Sequence, residues 1–155
     1  MAIQKISAII IQGYGVASGT GEDTRFPEGS IKMQMPHFRK RGLDLSPYYP
    51  GTLNLDISPY DFELGKPKYY FEGITWSKYM PPENFYFFDI TLSFNSNIYH
   101  GLVYLPDPKT KVDHPQPDHM LEVLAPLIPG ASYGKEINIE LDDSCILLKD
   151  YKPKH

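Results

Sequence analysis

Fifteen prolines spread over 155 residues constrain this chain more than any other feature it has. A proline ring locks φ and removes a backbone donor, so each one marks an end or a loop rather than a helix interior or a central strand. Twelve glycines and an aromatic content of 14% point the same way. The pattern is one of many short elements joined by turns, and it argues against a helical bundle. The length is near the commonest size for one hydrophobic core. With 41% hydrophobic residues, that core needs no disulfide or structural metal, so a single domain spanning 1–155 is expected.

Nineteen acidic and fifteen basic residues leave a formal charge of −4. That balance gives no reason to expect a duplex nucleic acid partner, whose backbone wants a basic face. It leaves room for a local phosphate site, because Arg25, Lys32, Arg39, Lys40 and Arg41 all fall in the first third of the chain. The lone Cys145 rules out an intrachain disulfide and fits a reducing compartment. Lys5 before an apolar run, and Ala17-Ser18-Gly19 after it, have the order of a signal peptide. The run Ile6–Ile11 is nonetheless too short for a signal core and reads better as a first strand. No stretch has the eighteen or so apolar residues of a membrane span. A cytoplasmic protein is expected, with no membrane partner.

Dense β-branched residues at Ser7–Ile11 predict a strand ending at Gly13-Tyr14-Gly15. Residues 16–35 read as a long glycine-rich loop. Pro36–Arg41 reads as a short helix, with Pro36 in its first turn and Gly42 ending it. Leu53-Asn54-Leu55-Asp56-Ile57 alternates with period two and predicts a strand stopped at Ser58-Pro59. Tyr69–Phe71 predicts another before Gly73. Residues 85–94 and 98–105 predict a hairpin around Asn95-Ser96-Asn97. Asp107–Pro117 reads as a loop, and His119–Leu127 as either a strand or a helical turn. Glu136–Leu141 and Cys145–Leu148 read as the last strands. Some six strands with irregular connections favour an all-β or mainly-β fold closed into a small barrel, because closure removes exposed edges. A split α+β sheet is the alternative.

Two segments carry candidate chemistry. Gly13-Tyr14-Gly15 follows a strand, where backbone amides can approach phosphate oxygens. Ser18 stands where a dinucleotide fingerprint has its third glycine, and no βαβ unit follows, so a tight turn competes with a ligand loop. In Pro50-Gly51-Thr52-Leu53-Asn54 a turn runs directly into a strand. Thr52 and Asn54 then share one face, and a hydroxyl beside an amide oxygen suits a hard cation such as Mg²⁺ or a phosphate. A capped turn beside a solvated face is the competing reading. Glu122, inside the apolar run Leu121–Ala125, either faces solvent or is held inward by donors. His114, Asp118 and His119 are metal-capable types whose spacing matches no strong zinc signature.

Taken together, Pro50-Gly51-Thr52-Leu53-Asn54-Leu55, Gly13-Tyr14-Gly15-Val16-Ala17-Ser18 and Leu121-Glu122-Val123-Leu124-Ala125-Pro126 resemble the archaeal CTP-dependent riboflavin kinases, a cradle-loop barrel family. The matching motifs span about residues 6–142. The resemblance implies a six-stranded closed barrel that transfers a nucleotide γ-phosphoryl group to riboflavin and makes FMN. It implies that Gly13, Tyr14, Gly15, Val16, Ala17 and Ser18 cradle the nucleotide phosphates, with Leu127, Ile128, Pro129 and Gly130 at the base. It implies that Thr52 and Asn54 hold Mg²⁺ as the catalytic pair and that Glu122 contacts the flavin. The chain departs from the family in having Leu127-Ile128-Pro129-Gly130 where an arginine-containing segment is usual, and in lacking a threonine shortly before the glutamate. A non-catalytic barrel binding a nucleotide, flavin, sugar or peptide is the alternative, and a structural or interaction module is a third.

Overall fold

The computed structural model describes residues 2–11, 30–107 and 119–150. Among these residues the strands are β1 (Ile3–Ile11), β2 (Leu53–Asp56), β3 (Tyr60–Leu64), β4 (Tyr69–Ile74), β5 (Glu83–Phe94), β6 (Asn97–Pro106), β7 (Met120–Leu124), β8 (Glu136–Asp142) and β9 (Ile146–Asp150), and the helix is α1 (Ser30–Lys40). Six strands pair antiparallel in the order β5-β6-β7-β2-β1-β8, and β8 returns to β5 through Thr91–Glu140, Leu92–Ile139 and Ser93–Asn138. The mainly-β, closed six-stranded barrel expected from the sequence is therefore present, and it matches a cradle-loop barrel. No helix among the described residues is long and apolar enough to cross a membrane.

Closure depends on β5, which at 12 residues is the longest strand. Its second half pairs with β8, while its first half pairs on the same edge with β4 through Tyr69–Phe87, Tyr70–Tyr86 and Phe71–Phe85. One strand thus belongs to the barrel at one end and to an outlying sheet at the other. Period-two alternation then divides its side chains between two cores. Phe88, Ile90 and Leu92 point into the barrel with Leu55, Val103, Leu121, Val123 and Ile139. Phe85 and Phe87 point outward, and with Leu102, Tyr104 and Leu124 they make a second apolar surface on the barrel's outside.

Helix α1 covers that outer surface. Ile31, Gln34 and Phe38 are buried and fall on one face of the helix. The Phe38 ring meets Phe85 edge-on at 5.0 Å and Phe87 at 5.1 Å. The helix begins earlier than the sequence reading placed it, so Pro36 sits in its interior rather than its first turn. An interior proline costs about 3 kcal/mol, and burying Ile31 and Phe38 in the outer core offsets that locally unfavourable choice. The helix does end at Gly42. There φ is 103°, and Leu43 N–H and Gly42 N–H donate to the Phe38 and Arg39 carbonyls at 3.0 and 3.1 Å. This is a Schellman cap, and its usual apolar contact joins Leu43 to Phe38 in the outer core.

Several local readings change with the tertiary structure. β4 continues past Gly73, which takes φ 66° where the register shifts between Phe71 and Ile74. The hairpin turn is the two residues Asn95 and Ser96, with φ 50° and 63°, because Asn97 already pairs with Phe94. Of the two readings of residues 119–127, strand is the one found, at Met120–Leu124. β3, which the sequence reading did not place, alternates as Tyr60-Asp61-Phe62-Glu63-Leu64 and pairs with β9 from Tyr60–Asp150 to Leu64–Ile146.

Candidate functional site

The Pro50-Gly51 turn delivers the chain into β2 from beside the end of β7. Tyr49 N–H donates to the Ala125 carbonyl at 2.9 Å, and Gly51 N–H turns back to the Tyr49 carbonyl at 2.9 Å. β2 then lies between β1 and β7, with Asn54 paired to Ile11 on one side and to Glu122 on the other. Leu55 and Ile57 are wholly buried in the barrel, which turns Asn54 to the outer face. On β7 the same logic acts on Glu122, because Leu121 and Val123 on either side of it fill the barrel interior. The alternation that makes each strand amphipathic brings the two polar side chains together.

Thr52 completes the group. Its hydroxyl donates to Asn54 Oδ1 at 3.2 Å and lies 3.5 Å from Glu122 Oε1. A hydroxyl has one proton to give, so the shorter contact is the hydrogen bond and the longer is close electrostatic proximity. All three side chains are half-buried. The expectation that Thr52 and Asn54 share a face is met, and Glu122, from 70 residues away in the chain, joins them.

Two neutral oxygens of this kind fit a hard cation. In an octahedral Mg²⁺ shell, adjacent oxygen ligands at 2.0–2.1 Å lie about 2.9 Å from each other. The 3.2 Å separation of Thr52 Oγ1 and Asn54 Oδ1 is near that edge, so the two oxygens are spaced as neighbouring ligands of such an ion would be. Among the described residues, no group of three or more His, Cys, Asp or Glu is arranged to hold a metal. Of the metal-capable residues noted in the sequence, His114 and Asp118 lie outside the described residues. His119 Nδ1 is 2.8 Å from the Tyr60 carbonyl and 3.2 Å from Asp61 Oδ1.

The glycine loop Gly13, Tyr14, Gly15, Val16, Ala17 and Ser18 also lies outside the described residues. Its stem, Ile11, is the residue paired with Asn54. Leu127–Gly130 follows Ala125 and turns over the end of the barrel. Leu127 is 74% exposed, whereas Ile128 is buried among the barrel-core residues. The Gly130 carbonyl accepts from Lys135 Nζ at 3.0 Å, and Gly130 lies against Phe94 and Asn95 at the hairpin tip.

The sequence reading did not include a second polar group beside the site. Tyr104 Oη donates to Gln34 Oε1 at 2.7 Å, buried between β6 and α1. Burial chiefly, then the charges of Glu122 and Glu83, push the Tyr104 phenol well above its usual range. Glu83 is itself buried and accepts from Trp76 Nε1 at 2.5 Å. The signals available were a tyrosine and a glutamine within apolar surroundings, 70 residues apart, and no local pattern connects them. A scan of protein-family models returns no match for this chain, and a search of curated proteins returns none either.

Proposed function

We propose that the protein is a phosphotransferase of the riboflavin-kinase type, using a nucleoside triphosphate, CTP by resemblance, and Mg²⁺. The observation that carries the reading is the Thr52–Asn54–Glu122 cluster on the outer face of a closed six-stranded barrel. In the reaction, the primary ribityl oxygen of riboflavin bonds to the γ-phosphorus, the bond from that phosphorus to the β–γ bridging oxygen breaks, and the ribityl hydroxyl loses its proton. The products are FMN and a nucleoside diphosphate. A magnesium ion, when bound, neutralises charge on the phosphate oxygens. Thr52 and Asn54 supply the uncharged oxygens that fix its place, and Glu122 orients the flavin by accepting hydrogen bonds. The work is positioning and charge stabilisation, as is general for phosphoryl transfer.

Purified protein incubated with riboflavin, Mg²⁺ and each of the four nucleoside triphosphates tests this directly, with FMN read by chromatography. Product is expected with at least one donor. Thr52→Ala and Asn54→Ala should each lower the rate by about two orders of magnitude, while Glu122→Gln should raise the riboflavin KM. Absence of FMN with every donor ends the kinase reading.

A second reading, ligand binding without turnover, is favoured by the segment 127–130. Ile128 is committed to the barrel core, and no guanidinium stands in the segment to meet a nucleotide. Flavin or CTP bound by the protein with no product formed would select it.

A further inference from the structure

The polar row at the site does not stop at Glu122. β6 and β7 pair through Leu102–Leu124 and Val103–Val123, so the register continued by one residue sets Tyr104 beside Glu122 on the outer face. The Tyr104 ring is packed against Phe85 at 5.8 Å and Phe87 at 6.0 Å. Its hydroxyl is tied to Gln34 of α1 at 2.7 Å. Gln34 is 2% exposed and Tyr104 3%. Polar groups therefore succeed one another from α1 through β6 and β7 to β2, across a surface that is otherwise aromatic and aliphatic.

Stability alone gives little reason for that row. A buried neutral hydrogen bond gains only modestly over the same groups hydrated, and apolar side chains of the same shape would pack nearly as well. The register makes Tyr104 and Glu122 neighbours, and after burial itself the carboxylate adds to the upward push on the Tyr104 phenol. A ring packed against two phenylalanines and tied to a glutamine is a rigid neighbour for Glu122.

We propose that Tyr104 is a positioning residue for Glu122, fixed in turn by Gln34, so that α1 braces the site from outside the barrel. The identity of the ligand rests on the riboflavin reading; the positioning of the carboxylate does not. A side chain that must hold one geometry needs supports that are themselves held, and the Gln34–Tyr104 bond supplies that support from outside the barrel.

The test uses Tyr104→Phe, Gln34→Met and the double variant, each in the full chain. In ligand-free protein at pH 7, the ¹³C carboxyl signal of Glu122, assigned with Glu122→Gln, should move in both single variants. Riboflavin affinity, followed by flavin fluorescence, should fall roughly fivefold or more, the size of one lost neutral hydrogen bond. The double variant removes both polar partners, so its melting temperature should return close to that of the parent. Its Glu122 signal and flavin affinity should not return. If they do, or if neither single variant moves the Glu122 signal, the pair is structural only and the inference is overturned. Should Tyr104→Phe fail to fold, Gln34→Met carries the same test. A parent protein that does not bind riboflavin ends the flavin reading, and the carboxyl signal still decides the positioning.

Discussion

Replacing Gly101 with alanine probes the strand contact on which the candidate site depends. Gly101 lies in β6 beside the residues that pair with β7, Leu102 and Val103. A Cβ at this position would stand 2.5 Å from the Leu124 carbonyl oxygen and 3.4 Å from Val123 Cγ1. Ordinary contact begins near 3.4 Å, so the two strands must separate by about 0.9 Å. The obstructing atom is backbone, so no side-chain rotation relieves the overlap. Overpacking of this kind costs about 1–3 kcal/mol. In a chain of this length each kcal/mol lowers the melting temperature by about 2–4 °C, so Gly101→Ala should melt roughly 2–12 °C below the parent. Leu124 is two residues from Glu122 on the same strand, so the displacement should also disturb the 3.5 Å approach of Glu122 to Thr52 and weaken ligand binding. Gly73→Ala is the control. Its Cβ meets nothing within 4 Å, but φ is 66°, so its cost of about 1–2 kcal/mol is conformational, and β4 stands outside the closed barrel. Thermal and guanidinium unfolding of the three proteins, with riboflavin binding alongside, measures both effects. A Gly101→Ala protein that melts with the parent would refute the close β6–β7 approach and the geometry drawn from it.

Two further outcomes follow from the packing and the charges. Phe38→Ala removes the ring at the centre of the outer core and should cost about 3–5 kcal/mol, read as a lower guanidinium midpoint; a loss under about 1 kcal/mol would mean that α1 is not seated on the barrel as described. The backbone N–H of Ser46 and of Ser144 hold Asp44 and Asp142 below the usual carboxylate range, and the Ser58 hydroxyl does the same to Asp56. A lowered folded pKa stabilises the protein above the unfolded value of about 3.9, and that contribution is lost as pH falls through the folded value. The urea midpoint should therefore drop below about pH 4, and changing all three residues to asparagine should flatten that limb; an unchanged acid limb in the triple variant would assign the loss elsewhere.

The candidate site was half legible before the fold was known. Thr52 and Asn54 are two residues apart on one strand, and strand geometry alone puts them on one face. The apolar neighbours of Glu122 left both directions open for its carboxylate. Pairing decided between them: Leu121 and Val123 are claimed by the barrel interior, and register sets Glu122 opposite Asn54.

Period-two alternation, turn residues and proline spacing are properties of neighbours in the chain. They carried the strands at 7–11, 53–57, 85–94, 98–105 and 136–141, the hairpin between 94 and 97, and the barrel itself. The extent of α1 and the split edge of β5 depend on surfaces that come together only on folding. Pro36 is tolerated because Phe38 and Ile31 are buried on the barrel, and folding decides that Tyr60–Leu64, which alternates with period two, takes β9 as its partner. Hydrogen bonds between strands form from the backbone and leave no mark in residue type. Which strands adjoin, and therefore which polar side chains meet, was decided by tertiary packing alone.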